Sequence, residues 1–326
     1  MHTPGVGIDE RVNEHCRRHG LLPSGAGVLA MVSGGADSTC LMHLLPRLHD
    51  GAVHVLVVDH GLRAAASDEA DGVVVAAEGL GLTVHRVALG LVAGPAAMER
   101  ARDARLAVAE EIRRREGLDL VATGHTRTDH AETIIFRIAR GTGRTGALGI
   151  APRRDALIRP LLTLSRHETR EWCELAGVRF TDDPTNEDLA TARARVRHGA
   201  MPALSRVHPA AEAHLARLAD LLRDESEVID AAAAAAWDRC ARDGGLGARD
   251  LAAEPAALAR LLVRRLISES GLPSDALGSG PVERVRARAA RGRGRDEIPG
   301  GVVVIERGVL VVSPRVTDAG GIGAAA

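Results

Sequence analysis

The residues best suited to chemistry stand in one short turn between two apolar runs, within the stretch VLAMVSGGADSTCLMHLL at positions 28–45. The turn consists of Ser33, Gly34, Gly35, Ala36, Asp37 and Ser38. Two glycines allow a sharp bend, and the unpaired N–H groups that begin the next helix favour a phosphate, with the serine hydroxyls as further donors. A carboxylate would repel a bare phosphate, so Asp37 fits a site in which Mg²⁺ lies between it and a polyphosphate. The simpler alternative is a glycine-rich turn with Asp37 as a helix cap.

Other polar side chains stand at the ends of predicted strands or in the first turn of a predicted helix. Asp59 and His60 close one strand, and His125 follows another. Asp129 and Glu132, three residues apart, share one face of the next helix, where acidic side chains favour the helix dipole. On spacing alone this pair is best explained by the dipole. A structural role also stays open for His60 as a strand-end residue and for His125 as a helix cap.

Short apolar runs and longer helical patterns alternate through the first half of the chain. The predicted strands are 27–32, 52–59, 82–89 and 118–123, and the predicted helices are 37–49, 66–79, 96–116 and 128–140. Strands that are apolar along their whole length suit a sheet buried on both faces, and the alternation is typical of parallel strands with crossover helices. Ligands of such sheets bind at the carboxyl ends of the strands, where the turn at 33–38, Asp59 and His125 all stand.

The remainder of the chain reads as mainly helical. Ser165 and Glu168 form the pattern of a capping box at the start of a helix, and further helices are predicted over 200–242 and 255–270. A hairpin is predicted around residues 306–308. We therefore predict a catalytic domain over 1–205, a mainly helical domain over 206–316 and a disordered tail over 317–326.

Composition excludes several classes of protein. The chain has 326 residues and a formal net charge of −1, and none of its 42 basic residues is lysine, which excludes a Walker A loop and a Schiff-base lysine. It has no Tyr, two Phe and two Trp, so stacking of nucleic-acid bases on aromatic rings is scarcely available. Its four cysteines are far apart in sequence, which argues against a zinc knuckle, an iron–sulfur cluster or a redox pair. There is no signal-peptide pattern and no apolar run of about 18 residues, so we expect a cytoplasmic protein without membrane contact.

Four stretches of the sequence resemble a known family. The string S-G-G-x-D-S resembles the pyrophosphate-binding loop of the N-type ATP pyrophosphatases. VVDHGLR at 57–63, ERARDARLA at 99–107 and ATGHTRTDHAETIIFRIARGTG at 122–143 resemble segments of the tRNA(Ile)-lysidine synthetases. The chain departs from that family at Thr128 and His130, which flank Asp129 where D-D-Q is usual, and over 193–197, where RARVR replaces R-N-x-I-R. The resemblance implies a parallel-sheet α/β fold of the adenine nucleotide α-hydrolase-like (PP-loop) type, with a smaller, mainly helical C-terminal domain ending in a β-hairpin.

The resemblance also implies a reaction. ATP adenylates the C2 oxygen of the wobble cytidine in an isoleucine tRNA with a CAU anticodon, pyrophosphate leaves, and the ε-amine of free lysine displaces AMP. The implied cofactors are ATP and Mg²⁺, with Asp37 as the metal ligand. The implied catalytic residues are Asp37, Arg105, Asp129 and Glu132, with Arg102 or Arg105 stabilising the adenylate and the two acids recognising the lysine ammonium. ATP binding is implied for Ser33, Gly34, Gly35, Ala36, Asp37, Ser38, Asp59, His60 and Arg102. Substrate binding is implied for His125, Asp129, Glu132, Arg193, Arg195 and Arg197.

Arginine-rich segments give the predicted RNA surface, over 193–208 and over 284–295. The mainly helical domain over 206–316 is accordingly predicted to dock the tRNA. Such clusters bind phosphates and supply affinity rather than base identity; a solvated helix face is the alternative, above all for the second segment. Three rival functions stay open: a tRNA thiolase of the same superfamily, a GMP-synthetase-like enzyme, and a nucleotide-binding homologue whose active site has decayed at Thr128 and His130. A homodimer is also left open.

Overall fold

The computed structural model describes residues 7–59, 65–89, 97–181, 191–272 and 279–315, without the side chains of 65–67, 97–99, 102 and 279. His60, the side chain of Arg102 and the predicted tail at 317–326 therefore lie outside the described residues. The chain divides into two compact units, residues 1–222 and 223–326. Each unit is described by itself.

The first unit is built on a six-stranded sheet. Its strands are β1 (Val28–Val32), β2 (Val53–Asp59), β3 (Thr83–Ala88), β4 (Leu120–Thr123), β5 (Arg153–Arg154) and β6 (Leu157–Ile158). They lie in the order β3-β2-β1-β4-β6-β5, and all neighbours are parallel except β5 and β6. The strands predicted from the apolar runs correspond to β1–β4, which confirms the α/β fold class. The sequence did not indicate β5 and β6, which are only two residues long.

Helices of the first unit cover the sheet. They are α1 (Ile8–Arg18), α2 (Ala36–Leu48), α3 (Ala65–Gly79), α4 (Ala97–Arg115), α5 (Arg127–Ala139), α6 (Arg144–Ala147), α7 (Arg166–Leu175), α8 (Ala192–Arg195), α9 (Met201–Val207) and α10 (Ala211–Cys240), the last of which continues into the second unit. A 3₁₀ turn lies at Pro160–Thr163, and a π-helical turn at Val196–Ala200 joins α8 to α9.

The strand β1 shows why the sheet is apolar along its length. Val28, Ala30 and Val32 belong to one buried cluster, which α1, α2, α3 and α7 complete. Leu29 and Met31 face the opposite side and pack in a second cluster with residues of α4. Because successive side chains of a strand point to opposite faces, both faces of β1 are buried and neither alternates with polar residues.

The second unit combines helices with an antiparallel sheet. Its helices are α11 (Ala248–Ala253), α12 (Ala256–Glu269) and α13 (Ser279–Arg291), and its strands are β7 (Ala241–Arg242), β8 (Gly245–Gly247), β9 (Gly294–Ile298), β10 (Gly301–Glu306) and β11 (Val309–Pro314). The sheet order is β7-β8-β11-β10-β9. The predicted hairpin is confirmed as β10–β11, whose turn residues Arg307 and Gly308 have φ of 49° and 79°, as a two-residue type I′ turn requires. It is one part of a larger sheet that the sequence did not indicate. Over the described ranges, no helix has the length and apolar character needed to span a bilayer.

Candidate active site

The glycine-rich turn joins β1 to α2 in a conformation that requires glycine. Gly34 has a φ of +88°, and a Cβ atom there would lie 3.1 Å from Thr181 Oγ1 and 3.3 Å from Val73 Cγ2. A Cβ atom on Gly35 would have no neighbour closer than 3.9 Å. The loop is therefore packed on one side and open beside Gly35, where a ligand could reach the first N–H groups of α2.

The serine hydroxyls hold the loop in shape. Ser38 Oγ accepts a hydrogen bond from the Ser33 amide at 3.1 Å, donates to the Gly35 carbonyl at 3.0 Å and lies 3.2 Å from Ser33 Oγ. The Gly34 carbonyl accepts from the Thr181 amide at 2.9 Å. The alternative in which Asp37 caps α2 is wrong, because the N-cap residue of this helix is Gly35. In the described structure, no side chain forms a capping hydrogen bond at the start of α2.

The end of β4 approaches the first turn of α2 at van der Waals distance. A Cβ atom on Gly124 would lie 3.0 Å from the Asp37 carbonyl carbon and oxygen and from Ser38 Cα. Glycine is thus needed at position 124 for the strand end to pass the loop. Sequence analysis did not single out this residue, although a glycine directly after a buried strand is a usable signal for close backbone approach.

Three carboxylates converge on one arginine. The guanidinium of Arg166 lies 2.8 Å from Asp129 Oδ1, 3.3 Å from Glu132 Oε1 and 3.5 Å from Asp37 Oδ2. Its side chain is 34 % exposed, whereas that of Glu132 is 1 % exposed. The structure therefore brings together the three acids singled out in the sequence, and it adds a cation that the sequence did not indicate. We refer to Asp37, Asp129 and Glu132 as the acidic triad.

Two of the three arginines in the RARVR segment also face the acidic triad. Arg197 Nε donates to Glu132 Oε1 at 2.8 Å and Arg197 Nη2 to Glu132 Oε2 at 3.1 Å. Arg193 Nε lies 3.8 Å from Glu132 Oε2 and is buried without a hydrogen-bond partner in the described part of the chain. Arg195, between them, is exposed and lines a cavity of about 540 Å³ with Phe136 and Arg140. The segment thus turns two guanidiniums inward and one outward.

Local helix signals position the triad. Thr126 is the N-cap of α5 and forms a capping box with Asp129, whose Oδ2 accepts from the Thr126 amide and hydroxyl at 2.9 Å each. The other oxygen, Oδ1, is left for Arg166. Asp129 therefore caps the start of α5 with one carboxylate oxygen and belongs to the candidate site with the other. Arg166 follows Ser165, whose predicted capping box with Glu168 starts α7 and is confirmed.

The electrostatics of Asp37 and Asp129 differ. Burial, together with the negative charge of Asp129, raises the pKa of Asp37 from 3.8 to about 6, against the opposing effects of Thr169 and Arg166. Burial also acts to raise the pKa of Asp129, but Arg166, His125 and the Thr126 amide outweigh it, and the pKa of Asp129 is lowered. Asp129 is therefore ionised at neutral pH, and Asp37 titrates near pH 6.

Of the remaining predicted residues, the described structure connects only His125 with the acidic triad. Asp59 ends β2, next to β1 at the same edge of the sheet. His125 Nδ1 lies 2.8 Å from Thr123 Oγ1, and His125 helps to lower the pKa of Asp129. Arg105 lies on α4 with a partly exposed side chain. His60 and the side chain of Arg102 lie outside the described residues.

Thr128 and His130, the two departures in the third motif, both have partners. Thr128 Oγ1 donates to Glu212 Oε2 at 2.9 Å and accepts from the Arg166 amide at 3.0 Å. His130 is buried, and its Nδ1 accepts from the Ile150 amide at 2.9 Å. A carboxylate on α10 therefore reaches position 128, although the residue at 128 is itself neutral. The sequence did not indicate Glu212, because it lies 84 residues away along the chain.

Two of the cysteines are distant in sequence but interact in the fold. Cys173 Sγ on α7 donates to the Ala36 carbonyl oxygen at 3.5 Å. The interaction with Cys173, together with burial, raises the pKa of the Cys40 thiol on α2. All four cysteines are buried, so the described side chains offer no exposed thiol of the kind that transfers sulfur.

The donor set at the loop fits Mg²⁺ and a polyphosphate. Carboxylate oxygens are the ligands that Mg²⁺ prefers, and Asp37 stands in the first turn of α2, directly after the open side of the loop. A bound cation would favour the ionised form of Asp37, whose pKa burial has raised. The helix N-terminus supplies N–H groups for an anion.

Comparison with known proteins agrees with this geometry. The profile of the PP-loop domain matches residues 9–204. The tRNA(Ile)-lysidine synthases of Thermobifida fusca and Streptomyces coelicolor are both 38 % identical to the chain; the alignments cover 85 % and 89 % of it and 87 % and 86 % of those proteins. The chain belongs to the tRNA(Ile)-lysidine synthase family. The synthase of Solibacter usitatus is also 38 % identical over 86 % of the chain, but the chain spans only 66 % of that relative.

The fold of this tRNA(Ile)-lysidine synthase family member is shared more widely. A solved U34-tRNA thiolase from Methanococcus maripaludis superimposes with a TM-score of 0.54 and 18 % identity, covering 66 % of this chain and 79 % of that one. The PP-loop match ends at residue 204 and so contains the loop, the acidic triad, Arg166 and the RARVR segment. Glu212 lies beyond it.

Proposed function

We propose that this protein uses ATP to join free lysine to C2 of the wobble cytidine in an isoleucine tRNA with a CAU anticodon, releasing AMP and pyrophosphate. The observation that carries the proposal is the acidic triad beside a phosphate-binding loop, in a chain whose relatives bear the name tRNA(Ile)-lysidine synthase. PP-loop proteins use ATP, and we place the reaction in the cytoplasm, where ATP, lysine and tRNA meet.

In the first step the loop holds the phosphates. The N–H groups at the start of α2 bind the pyrophosphate portion of ATP through the open side beside Gly35, and Ser33 and Ser38 keep the loop in its conformation. Asp37 would hold Mg²⁺, and the bound ion would supply positive charge to offset the negative charge that develops as the bond to pyrophosphate breaks. The C2 oxygen of the cytidine bonds to the α-phosphorus, and pyrophosphate departs. Arg105, Arg102, Asp59 and His60 are assigned to the nucleotide by resemblance.

In the second step Asp129 and Glu132 receive lysine. Asp129 is ionised and Glu132 is almost fully buried, so both suit a cation, and in the described structure guanidiniums pair with them. The lysine ammonium competes for these oxygens. The lowered pKa of Asp129 makes it a binding group rather than a strong base. Glu132 accepts one proton from the lysine ammonium, and the neutral amine that results attacks C2. AMP leaves with the former C2 oxygen, and the second proton of the attacking nitrogen passes to solvent.

Arginines around the triad orient the other substrate groups. Arg193 Nε lies 3.8 Å from Glu132 Oε2 without forming a hydrogen bond in the described residues, so its N–H can donate to the α-carboxylate of lysine. Arg197 remains on Glu132 and holds its carboxylate in place. Arg195, exposed beside Phe136, is the member of the segment that contacts tRNA phosphate, and His125 borders the cytidine.

The test is pyrophosphate release by purified full-length protein with ATP, Mg²⁺ and bacterial tRNA, with and without free lysine. Turnover that needs both tRNA and lysine, and that is lost in Asp129→Asn, supports the proposal. Release that requires tRNA and a sulfur donor but is indifferent to lysine would identify a thiolase instead. The absence of release under every condition would identify a decayed active site, for which Thr128→Asp and His130→Gln are the restoring variants.

A further inference from the structure

A second group of metal-ligating side chains lies away from the acidic triad. His54 is the second residue of β2, His85 is the third residue of β3, and Glu116 directly follows α4. In the parallel pairing of the two strands Leu56 lies opposite His85, so His54 and His85 point to the same face of the sheet. That face is the one that α4 covers. We refer to these three residues as the His–His–Glu cluster.

The two imidazoles of the cluster are in direct contact. His54 Nδ1 lies 3.0 Å from His85 Nε2, and the ring centroids are 5.2 Å apart with an angle of 28° between the planes. Glu116 Oε1 lies 4.0 Å from His85 Nδ1. One ligand atom from each residue can be chosen so that all three lie within 4.8 Å of one another, and no other group of His, Cys, Asp or Glu in the described residues meets that condition.

The Glu116 carboxylate is paired with the neighbouring Arg115. Arg115 Nε contacts Oε1 at 2.9 Å, and the second carboxylate oxygen, Oε2, stays available to turn toward the imidazoles.

We propose that His54 Nδ1, His85 Nε2 and a carboxylate oxygen of Glu116 bind one Zn²⁺ ion, with water in the fourth position. Two imidazoles and one carboxylate are a common ligand set for Zn²⁺. Zinc bonds of about 2.05 Å in tetrahedral geometry place two ligand atoms roughly 3.3 Å apart. The two ring nitrogens are therefore within a few tenths of an ångström of the required separation, and Glu116, 30 % exposed, is the ligand that moves.

The proposed zinc site is separate from the nucleotide site. His54 stands five residues before Asp59, the carboxyl end of β2, which is about 17 Å along a strand. Bound zinc would join β3, the edge strand of the sheet, to β2 and to the end of α4. Its expected effect is to stabilise the first unit, without a part in ATP or lysine chemistry, so its test does not depend on the proposed function.

The experiment is a Zn²⁺ titration of the full chain, purified without an affinity tag, against a colorimetric zinc chelator. Excess Mg²⁺ is present to occupy sites that favour hard cations. The wild-type protein is expected to bind one equivalent of Zn²⁺. His54→Ala and Glu116→Gln are each expected to weaken binding at least tenfold, and Asp37→Asn is expected to leave it unchanged. Glu116→Gln keeps the shape of an exposed side chain, so it distinguishes loss of a ligand from loss of the fold.

A matched control removes two other neighbouring histidines. His208 and His214 have ring centroids 4.7 Å apart, and the double variant His208→Ala/His214→Ala should retain the zinc equivalent. The proposal is overturned if the wild-type protein takes up no zinc under these conditions. It is equally overturned if Glu116→Gln binds as tightly as wild type, or if the double control loses as much affinity as His54→Ala.

Discussion

Replacing Asp37 by Asn is expected to stabilise the protein while it abolishes activity. Burial raises the pKa of Asp37 from 3.8 to about 6, which means that the folded protein holds the charged carboxylate less favourably than the unfolded chain does. A folded pKa raised above the unfolded value contributes stability that is fully present below pH 3.8 and is lost as the pH rises through about 6. Asn resembles the protonated acid and avoids this loss.

The size of the effect follows from the two pKa values. At about 1.4 kcal/mol for each pKa unit, Asp37→Asn should raise the free energy of unfolding by about 3 kcal/mol at pH 8 and by about half as much at pH 5. The Asp37 side chain is 22 % exposed, so solvent only partly offsets the cost of burying its charge. Without a carboxylate to hold Mg²⁺, the variant should show no pyrophosphate release above background.

The assay is urea unfolding in Mg²⁺-free buffer at pH 5 and pH 8, followed by tryptophan fluorescence. The chain has two tryptophans, Trp172 in α7 of the first unit and Trp237 in the second unit. A Trp237→Phe background therefore makes Trp172 the reporter of the unit that contains Asp37. Added Mg²⁺ should stabilise the Asp37 protein and leave Asp37→Asn unchanged.

The matched control is Asp50→Asn. Hydrogen bonds from the Ser24 hydroxyl and the Gly25 amide lower the pKa of exposed Asp50, so its replacement should give no gain in stability at pH 8. The reasoning is refuted if Asp37→Asn is less stable than its parent at pH 8, or if the difference between them is the same at both values of pH.

Three further substitutions test the contacts around the triad. Arg166→Gln leaves Asp129 and Glu132 with fewer cations, so urea unfolding should show a loss of about 2–4 kcal/mol, below the full cost of an unpaired buried charge because two arginines remain. Glu132→Gln should raise the KM for lysine at least tenfold and change the KM for ATP less than twofold, measured by steady-state pyrophosphate release. Gly124→Ala places a Cβ atom 3.0 Å from the Asp37 backbone, so unfolding should show a loss of about 1–3 kcal/mol, and kcat should fall more than the KM for lysine rises.

The parts of the fold that local patterns encode could be predicted from the sequence. Strands β1, β2 and β4 are largely buried, and that burial appears in the sequence as apolar runs. Strand β3 lies at the edge of the sheet and has only half-buried and exposed residues, so the expectation of burial on both faces is wrong for that strand. The capping box at Ser165 and the hairpin turn at Arg307 and Gly308 depend on neighbouring residues, so their patterns are also local. The loop at 33–38 and the shared face of Asp129 and Glu132 could be predicted for the same reason, since each depends on residues close together in the sequence.

The pairing of charges in the site could not be predicted, because it depends on distant segments. Arg166 reaches Asp129 from 37 residues away, and Glu212 reaches Thr128 from 84 residues away. Both contacts depend on how α7 and α10 pack beside α5, which no spacing along the chain encodes. The same holds for Cys40 and Cys173, which are distant in sequence yet interact with one another in the fold.

The central claim is that lysine is the nucleophile and a CAU-anticodon tRNA is the acceptor. The most direct measurement is transfer of radiolabelled lysine to a transcript of isoleucine tRNA with a CAU anticodon, followed by nuclease digestion and mass spectrometry of the wobble nucleoside. We predict ATP-dependent labelling, a lysine adduct on the wobble cytidine, and no labelling of the same transcript with uridine at that position. An unlabelled transcript that nevertheless supports ATP-dependent pyrophosphate release, or a label found at any other nucleotide, would contradict the account.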